Sequence, residues 1–146
     1  MCRVFFDANV IIAGSMSRRG ASRALLTLAE VGMFRLVVSR QVIDEVERNL
    51  RDKLPEVLPI AAEMLSRAAV EVVQNPLPET FARWVDHIEE KDAPILEAAL
   101  QAEVDYLVTL NSRDFTPGVA ALTGLRIVSP AELIEAIRSA ITTGLA

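Results

Sequence analysis

Along this chain the apolar residues change their period from one segment to the next. Short unbroken runs rich in Val, Phe, Ile and Leu alternate with longer segments in which apolar residues return every three or four positions. The short runs read as strands buried on both faces and the longer segments as amphipathic helices, which together make an α/β fold with a mainly parallel sheet. Five strands are predicted, at residues 3–6, 34–39, 70–74, 106–109 and 126–129, the fifth being the least hydrophobic. A helix is predicted over 21–31, with Ala24, Leu25, Leu28 and Ala29 on one face, and another over 41–50, with Ile43, Val46 and Leu50 aligned. Three more are expected over 56–68 after Pro55, over 80–88 with Phe81, Trp84, Val85 and Ile88 on one stripe, and over 94–102. Pro130 opens a last helix that runs toward Ile141. Right-handed crossovers then give a three-layer α/β/α sandwich of about five strands, with ligands expected beyond the carboxyl ends of the strands.

Composition narrows this picture. A chain of 146 residues with 51% apolar content has the length and core material of one domain, and no internal repeat or low-complexity stretch divides it. The early apolar run from Val10 to Ala13 is too short to span a bilayer, and Arg3 and Asp7 break any signal-peptide layout, so a soluble cytoplasmic protein is expected. Cys2 is the only cysteine, which excludes an internal disulfide and leaves zinc-finger and cysteine-nucleophile chemistry without ligands. The net charge of -5 and the pI near 4.9 argue against holding nucleic acid by bulk electrostatics. An acidic total is compatible, however, with carboxylates gathered around a cation. The mean hydropathy of +0.31 points to apolar surface kept for a partner.

Four acidic positions stand out. Asp7 follows the first strand in Phe5-Phe6-Asp7-Ala8-Asn9-Val10, where it can face the ligand edge of the sheet or simply cap the helix that follows. Asp92 precedes Ala93-Pro94-Ile95-Leu96 and presents the same two readings. Glu45 sits at the margin of an apolar helix face, and helical geometry alone does not separate it from Glu47. After the fourth strand, Thr109-Leu110-Asn111-Ser112-Arg113-Asp114 forms a polar turn at the ligand edge in which Asn111 and Asp114 both qualify. Asp105 precedes that strand and belongs at the opposite end of the sheet. Acids from separate segments that meet at one edge repel one another unless a cation intervenes, and hard oxygen donors suit Mg²⁺ or Mn²⁺.

At these residues the chain resembles the PIN-domain family, in particular the VapC-like toxin ribonucleases of bacterial toxin–antitoxin pairs. The likeness covers nearly the whole chain and rests on Asp7-Ala8-Asn9-Val10, Glu45 before Val46, Asp92-Ala93-Pro94-Ile95-Leu96, Tyr106-Leu107-Val108-Thr109, and Arg126-Ile127-Val128-Ser129-Pro130-Ala131-Glu132. The resemblance implies that Asp7, Glu45 and Asp92 belong to an acidic metal-binding set, with Asn9 and Thr109 as hydrogen-bonding supports, and it selects Glu45 over Glu47. Relatives often carry Asp where this chain has Asn111, while others have Asn followed by a later Asp, which makes Asp114 the fourth catalytic and metal-binding carboxylate and Asn111 a support. It further implies hydrolysis of RNA phosphodiesters with one or two Mg²⁺ ions, Mn²⁺ being an alternative, control by a small antitoxin protein, and a homodimer.

Arg18, Arg19 and Arg23 cluster around Gly20, and with Arg40 and Arg113 they are candidates to hold RNA phosphates or to line a solvated loop. His87 reads as a surface residue, and Trp84 and Phe81 as packing. A dinucleotide-binding fold is disfavoured because no G-x-G-x-x-G follows the first strand. A haloacid-dehalogenase-like phosphatase needs a second acid where Asn9 stands, and a receiver domain needs an Asp after the third strand, where Gln74-Asn75-Pro76 has none. The remaining alternative is a PIN-like binding module with weak or lost catalysis, which Asn111 keeps open.

Overall fold

The computed structural model describes residues 1–145 and contains five strands and eight α-helices. The strands are β1 (Arg3–Phe6), β2 (Arg35–Ser39), β3 (Glu71–Val73), β4 (Tyr106–Val108) and β5 (Ile127–Val128). They form one sheet in the order β3-β2-β1-β4-β5, and every pairing is parallel. Val4, Phe5 and Phe6 of β1, Leu36, Val37 and Val38 of β2, and Leu107 and Val108 of β4 are fully buried, as strands covered on both faces must be. The edge strands differ: Val72 of β3 is exposed and both residues of β5 are half-buried.

The helices are α1 (Ala8–Met16), α2 (Ala21–Glu30), α3 (Arg40–Lys53), α4 (Leu58–Arg67), α5 (Pro78–Phe81), α6 (Ala93–Gln101), α7 (Pro117–Thr123) and α8 (Pro130–Leu145). Helices α1 to α4 pack on one another and α8 joins them through α2, while α5 packs on α6. Both α3 and α6 rest on β2. From β1 the chain crosses to β2 and β3 on one side, then returns past β1 to β4 and β5 on the other. Right-handed crossovers in opposite directions place the two groups of helices on opposite faces and open a crevice between the carboxyl ends of β1 and β4.

Local chemistry explains the helix boundaries. Ser39 caps α3 by accepting from the Val42 amide at 3.3 Å, and Val42, Val46 and Leu50 form its buried stripe. Ser129 and Glu132 exchange two backbone-to-side-chain bonds, of 2.9 and 3.1 Å, at the start of α8. The predicted helix 56–68 divides into a 3₁₀ turn at Pro55–Val57 followed by α4, because Pro59 supplies no amide there. The continuous helix predicted over 80–88 is not formed. Instead α5 is a single turn, Ala82–Trp84 is a 3₁₀ turn and looser turns follow, with Trp84 and Ile88 in the core and Val85 exposed. Helix α7, absent from the sequence reading, is bounded by a Thr116 cap, Pro117 in its first turn and Gly124 in left-handed conformation (φ 75°).

Gly14 marks the close approach of α1 and α2. A Cβ there would stand 2.5 Å from Leu26 Cδ1 and 3.1 Å from the backbone carbon of Ser22. Since Leu26 is buried and the Ser22 backbone is fixed in α2, Gly14→Ala is expected to destabilise the fold by about 1–2 kcal/mol despite alanine's better helix propensity. Urea unfolding measures this, and an unchanged midpoint would show that the two helices slide apart freely.

Candidate active site at the sheet edge

Asp7 ends β1. Its amide donates to the Val108 carbonyl at 3.0 Å, carrying the β1–β4 ladder one residue further and fixing its backbone at the crevice. Its carboxylate serves both roles open to it in the sequence. Oδ1 accepts from the Ala8 amide at 2.8 Å and caps α1, while Oδ2 accepts from the Thr109 hydroxyl at 2.8 Å across the end of β4. The Asn9 amide nitrogen lies 3.4 Å from both Asp7 Oδ2 and Thr109 Oγ1, and Asn9 Oδ1 accepts from the Leu110 amide at 3.1 Å. Asn9 and Thr109 therefore stitch the two strand ends together around Asp7. Burial pushes the Asp7 carboxyl above its ordinary range, with the Glu45 charge adding to it, and the Thr109 and Ala8 donors hold it back.

Asp92 begins α6 yet makes no capping hydrogen bond, so capping does not account for it. Its Oδ2 is buried without a hydrogen-bond partner among the described residues. Burial first, then the neighbouring carboxyl of Asp114 and the charge of Asp7, push Asp92 up to about 7. Asp114 moves the other way. Its carboxylate accepts from Asn111 Nδ2 at 2.9 Å, Asn111 Oδ1 accepts the Asp114 amide at 3.3 Å, and the Asn111 and Asp92 hydrogen bonds hold Asp114 below the usual range. A proton shared between these two acids therefore sits on Asp92.

Glu45 is half-buried on α3, where Gln41 Nε2 donates to its Oε1 at 3.0 Å and reaches the Lys91 carbonyl at 3.3 Å. The structure separates the two α3 glutamates. Glu45 borders a cleft of about 350 Å³ together with Asp7, Asn9, Lys91, Asp92 and Asn111, whereas Glu47 turns toward α4. A wider groove of about 720 Å³ adjoins it and is lined by Asn9, Lys91, Asn111, Arg113 and Asp114. Among the described residues, no three His, Cys, Asp or Glu side chains stand close enough to hold an ion as they lie. The acids are instead pairwise neighbours, Asp7 feeling Glu45, and Asp92 feeling both Asp7 and Asp114.

The predicted cations fare unequally. Arg113 borders the wider groove; Arg18 and Arg19 are exposed between α1 and α2 and line neither cavity; Arg40 pairs with Asp44 at 3.4 Å. Arg23 is turned onto the carbonyls of Gly14 and Ser15 and serves the α1–α2 contact. Asp105 lies at the other end of the sheet, as expected, accepting from the Arg3 amide at 2.7 Å. Sequence reasoning missed Lys91, Arg48 and Gln41. Arg48 and Gln41 stand three and four residues from Glu45 on one helix face, a spacing that could have revealed them.

These features define an α/β domain with a carboxylate-lined cleft at the point where a parallel sheet reverses its direction of winding. A model of the PIN domain matches residues 3–113, and the chain belongs to that family. No curated protein matches the sequence. Among solved structures, a chain of VapBC2 from Rickettsia felis bound to a DNA fragment from their promoter is similar, with TM-score 0.66 and 16% identity, covering 87% of this chain and 98% of the other. A chain of DNA-bound VapBC from Salmonella typhimurium aligns with TM-score 0.66 and 20% identity, covering 89% and 99%. At such identities the likeness is one of fold.

Raising the folded-state pKa of Asp92 means that the native protein holds a proton the unfolded chain releases. Stability of the metal-free protein therefore falls as pH rises from the ordinary carboxylate range through about 7. Asp92→Asn removes this loss and is expected to be more stable than wild type at pH 8 by on the order of 1–3 kcal/mol. The difference should vanish near pH 4. Equal melting temperatures at pH 8 would show that the Asp92 charge is already compensated.

Proposed function

We propose that this protein is a metal-dependent ribonuclease that hydrolyses RNA phosphodiester bonds and acts as the toxin of a toxin–antitoxin pair. The observation that carries the nuclease reading is the orphaned Asp92 Oδ2, a buried acceptor among other acids with no donor to meet it. The donor set is all hard oxygen, which fits Mg²⁺ or Mn²⁺, and Asp7, Glu45, Asp92 and Asp114 are the residues to hold such ions. When bound, the metal would polarise a phosphate oxygen and make an attacking water more acidic.

The protein's own residues supply the rest of the chemistry. Thr109 holds Asp7 Oδ2 toward the cleft, and Asn111 orients Asp114. Lys91 borders both cavities and, among the described residues, has no acid within ion-pairing distance, so its ammonium is free to meet a phosphate, with Arg48 and Arg113 further along.

The VapBC likeness supports an antitoxin partner, and a homodimer and a cytoplasmic site of action belong to the same reading. No helix among the described residues is long and apolar enough to cross a membrane. The second reading, a PIN-like binding module with weak or lost catalysis, is favoured by Asn111 and by the spread of the carboxylates.

Purified protein is expected to cleave single-stranded RNA with Mg²⁺ and to stop when the metal is chelated. Asp7→Asn and Asp92→Asn should each lower kcat/KM by roughly 10²–10³-fold, and Lys91→Met by about tenfold, mainly through KM. Cleavage by both aspartate variants at the wild-type rate would assign the activity to a contaminant and leave the binding module standing.

A further inference from the structure

Glu97 is a buried charge outside the cleft. It lies on α6 with 3% exposure and accepts from Trp84 Nε1 at 2.7 Å, from Arg83 Nη2 and Nε at 2.9 and 3.3 Å, and from Gln101 Nε2 at 2.9 Å. The Arg83 guanidinium stacks 4.5 Å from the centre of the Trp84 ring. Burial pushes the Glu97 carboxyl up, but the Trp84, Arg83 and Gln101 donors outweigh it and keep it below its ordinary range, and so charged. Only the Glu97 end of this ion pair is buried while Arg83 stays largely in solvent, so the pair itself adds little stability against the cost of burying the carboxylate.

What the charge does achieve is attachment. Arg83 and Trp84 immediately precede residues 85–91, a run of turns closed by His87 and Ile88 amides on the Trp84 carbonyl and by Asp92 and Ala93 amides on the Glu89 carbonyl. Helix α6 holds both ends of this segment, through Asp92 at its start and through Glu97 five residues on. Between those ends the segment forms one wall of a groove that faces Arg113, Asp114 and Thr116, and it delivers Lys91 to the cleft.

We infer that Glu97 is a positioning residue: by clamping Arg83 and Trp84 onto α6 it fixes the 85–91 wall, and thereby sets Lys91 and Asp92 against Asp7 and Asp114. The catalytic consequence rests on the nuclease reading, while the structural consequence stands apart from it. Glu97→Gln keeps the shape and one acceptor but gives up the charge, Glu97→Leu gives up the charge and both acceptors, and Trp84→Phe removes the indole N–H while keeping a smaller aromatic ring in the core. Segment-resolved hydrogen exchange, Mn²⁺ affinity and steady-state RNA cleavage are measured on each.

Exchange at 85–92 is expected to quicken about tenfold in Glu97→Leu, and less in the other two, with β1 and β4 unaffected. Mn²⁺ affinity should weaken, and kcat should fall more than KM rises. Wild-type exchange at 85–92 in Glu97→Gln and Trp84→Phe would overturn the inference. So would quickening spread evenly over the chain with Mn²⁺ affinity unchanged, since that is ordinary loss of stability. If Glu97→Leu does not fold, the other two variants carry the same comparison. A wild-type protein that neither binds Mn²⁺ nor cleaves RNA defeats the nuclease reading, and exchange at 85–92 still decides the clamp.

Discussion

Two carboxylates deprived of water at one sheet edge are the constraint around which this molecule is arranged. Asp7 and Asp92 are 6% and 8% exposed, and charges at such depth are tolerated only when donors or a cation replace the lost hydration. Asp7 has its donors in Ala8 and Thr109. Asp92 has an oxygen with none, and keeps a proton to about pH 7 because it is buried and because Asp114 and Asp7 crowd it. The edge therefore holds unfavourable charge in its metal-free form, and relief comes by protonation or by a bound cation.

Holding that charge in place requires a stiff frame. The three central strands are apolar on both faces, and the Asp7 amide extends their ladder into the crevice. Helices α3 and α6, which bring Glu45 and Asp92, both rest on β2, so the core fixes the separation of the two acids. Gln41 then bridges the walls by reaching Glu45 and the Lys91 carbonyl together. Sheet topology chooses the location, because β1 and β4 are the neighbours from which the chain departs in opposite directions.

Much of this was legible in the sequence, for reasons that can be named. The three central strands are legible because burial on both faces leaves continuous apolar runs, the edge strands because shorter Val- and Ile-rich runs mark them, and Asp7 because it directly follows the first strand. The choice between capping and facing the cleft resolved differently at the two aspartates: Asp7 caps α1 and also borders the cleft, whereas Asp92 borders the cleft and caps nothing. The helix expected over 80–88 failed because its periodicity carried no information about Glu97, which draws the Trp84 indole into a tertiary contact that a regular helix does not supply. Lys91 is not legible because its place at the cleft depends on two chain segments meeting, whereas Gln41 carries a readable i,i+4 spacing to Glu45 and only its contact with the Lys91 carbonyl is tertiary. Helix α7 had a signal in Thr116-Pro117 and Gly124 that was overlooked. The PIN-domain resemblance read from motif order agrees with the family match over residues 3–113.

In the function proposed above, the acids of this edge share a cation. Anomalous diffraction from crystals grown with Mn²⁺ tests it most directly, since the ion is located without reference to activity. A peak is expected within about 2–2.4 Å of Asp92 Oδ2, with an Asp7, Glu45 or Asp114 oxygen at similar distance. Well-ordered Asp7 and Asp92 side chains with no peak between them, at Mn²⁺ concentrations that occupy ordinary carboxylate sites, would contradict it.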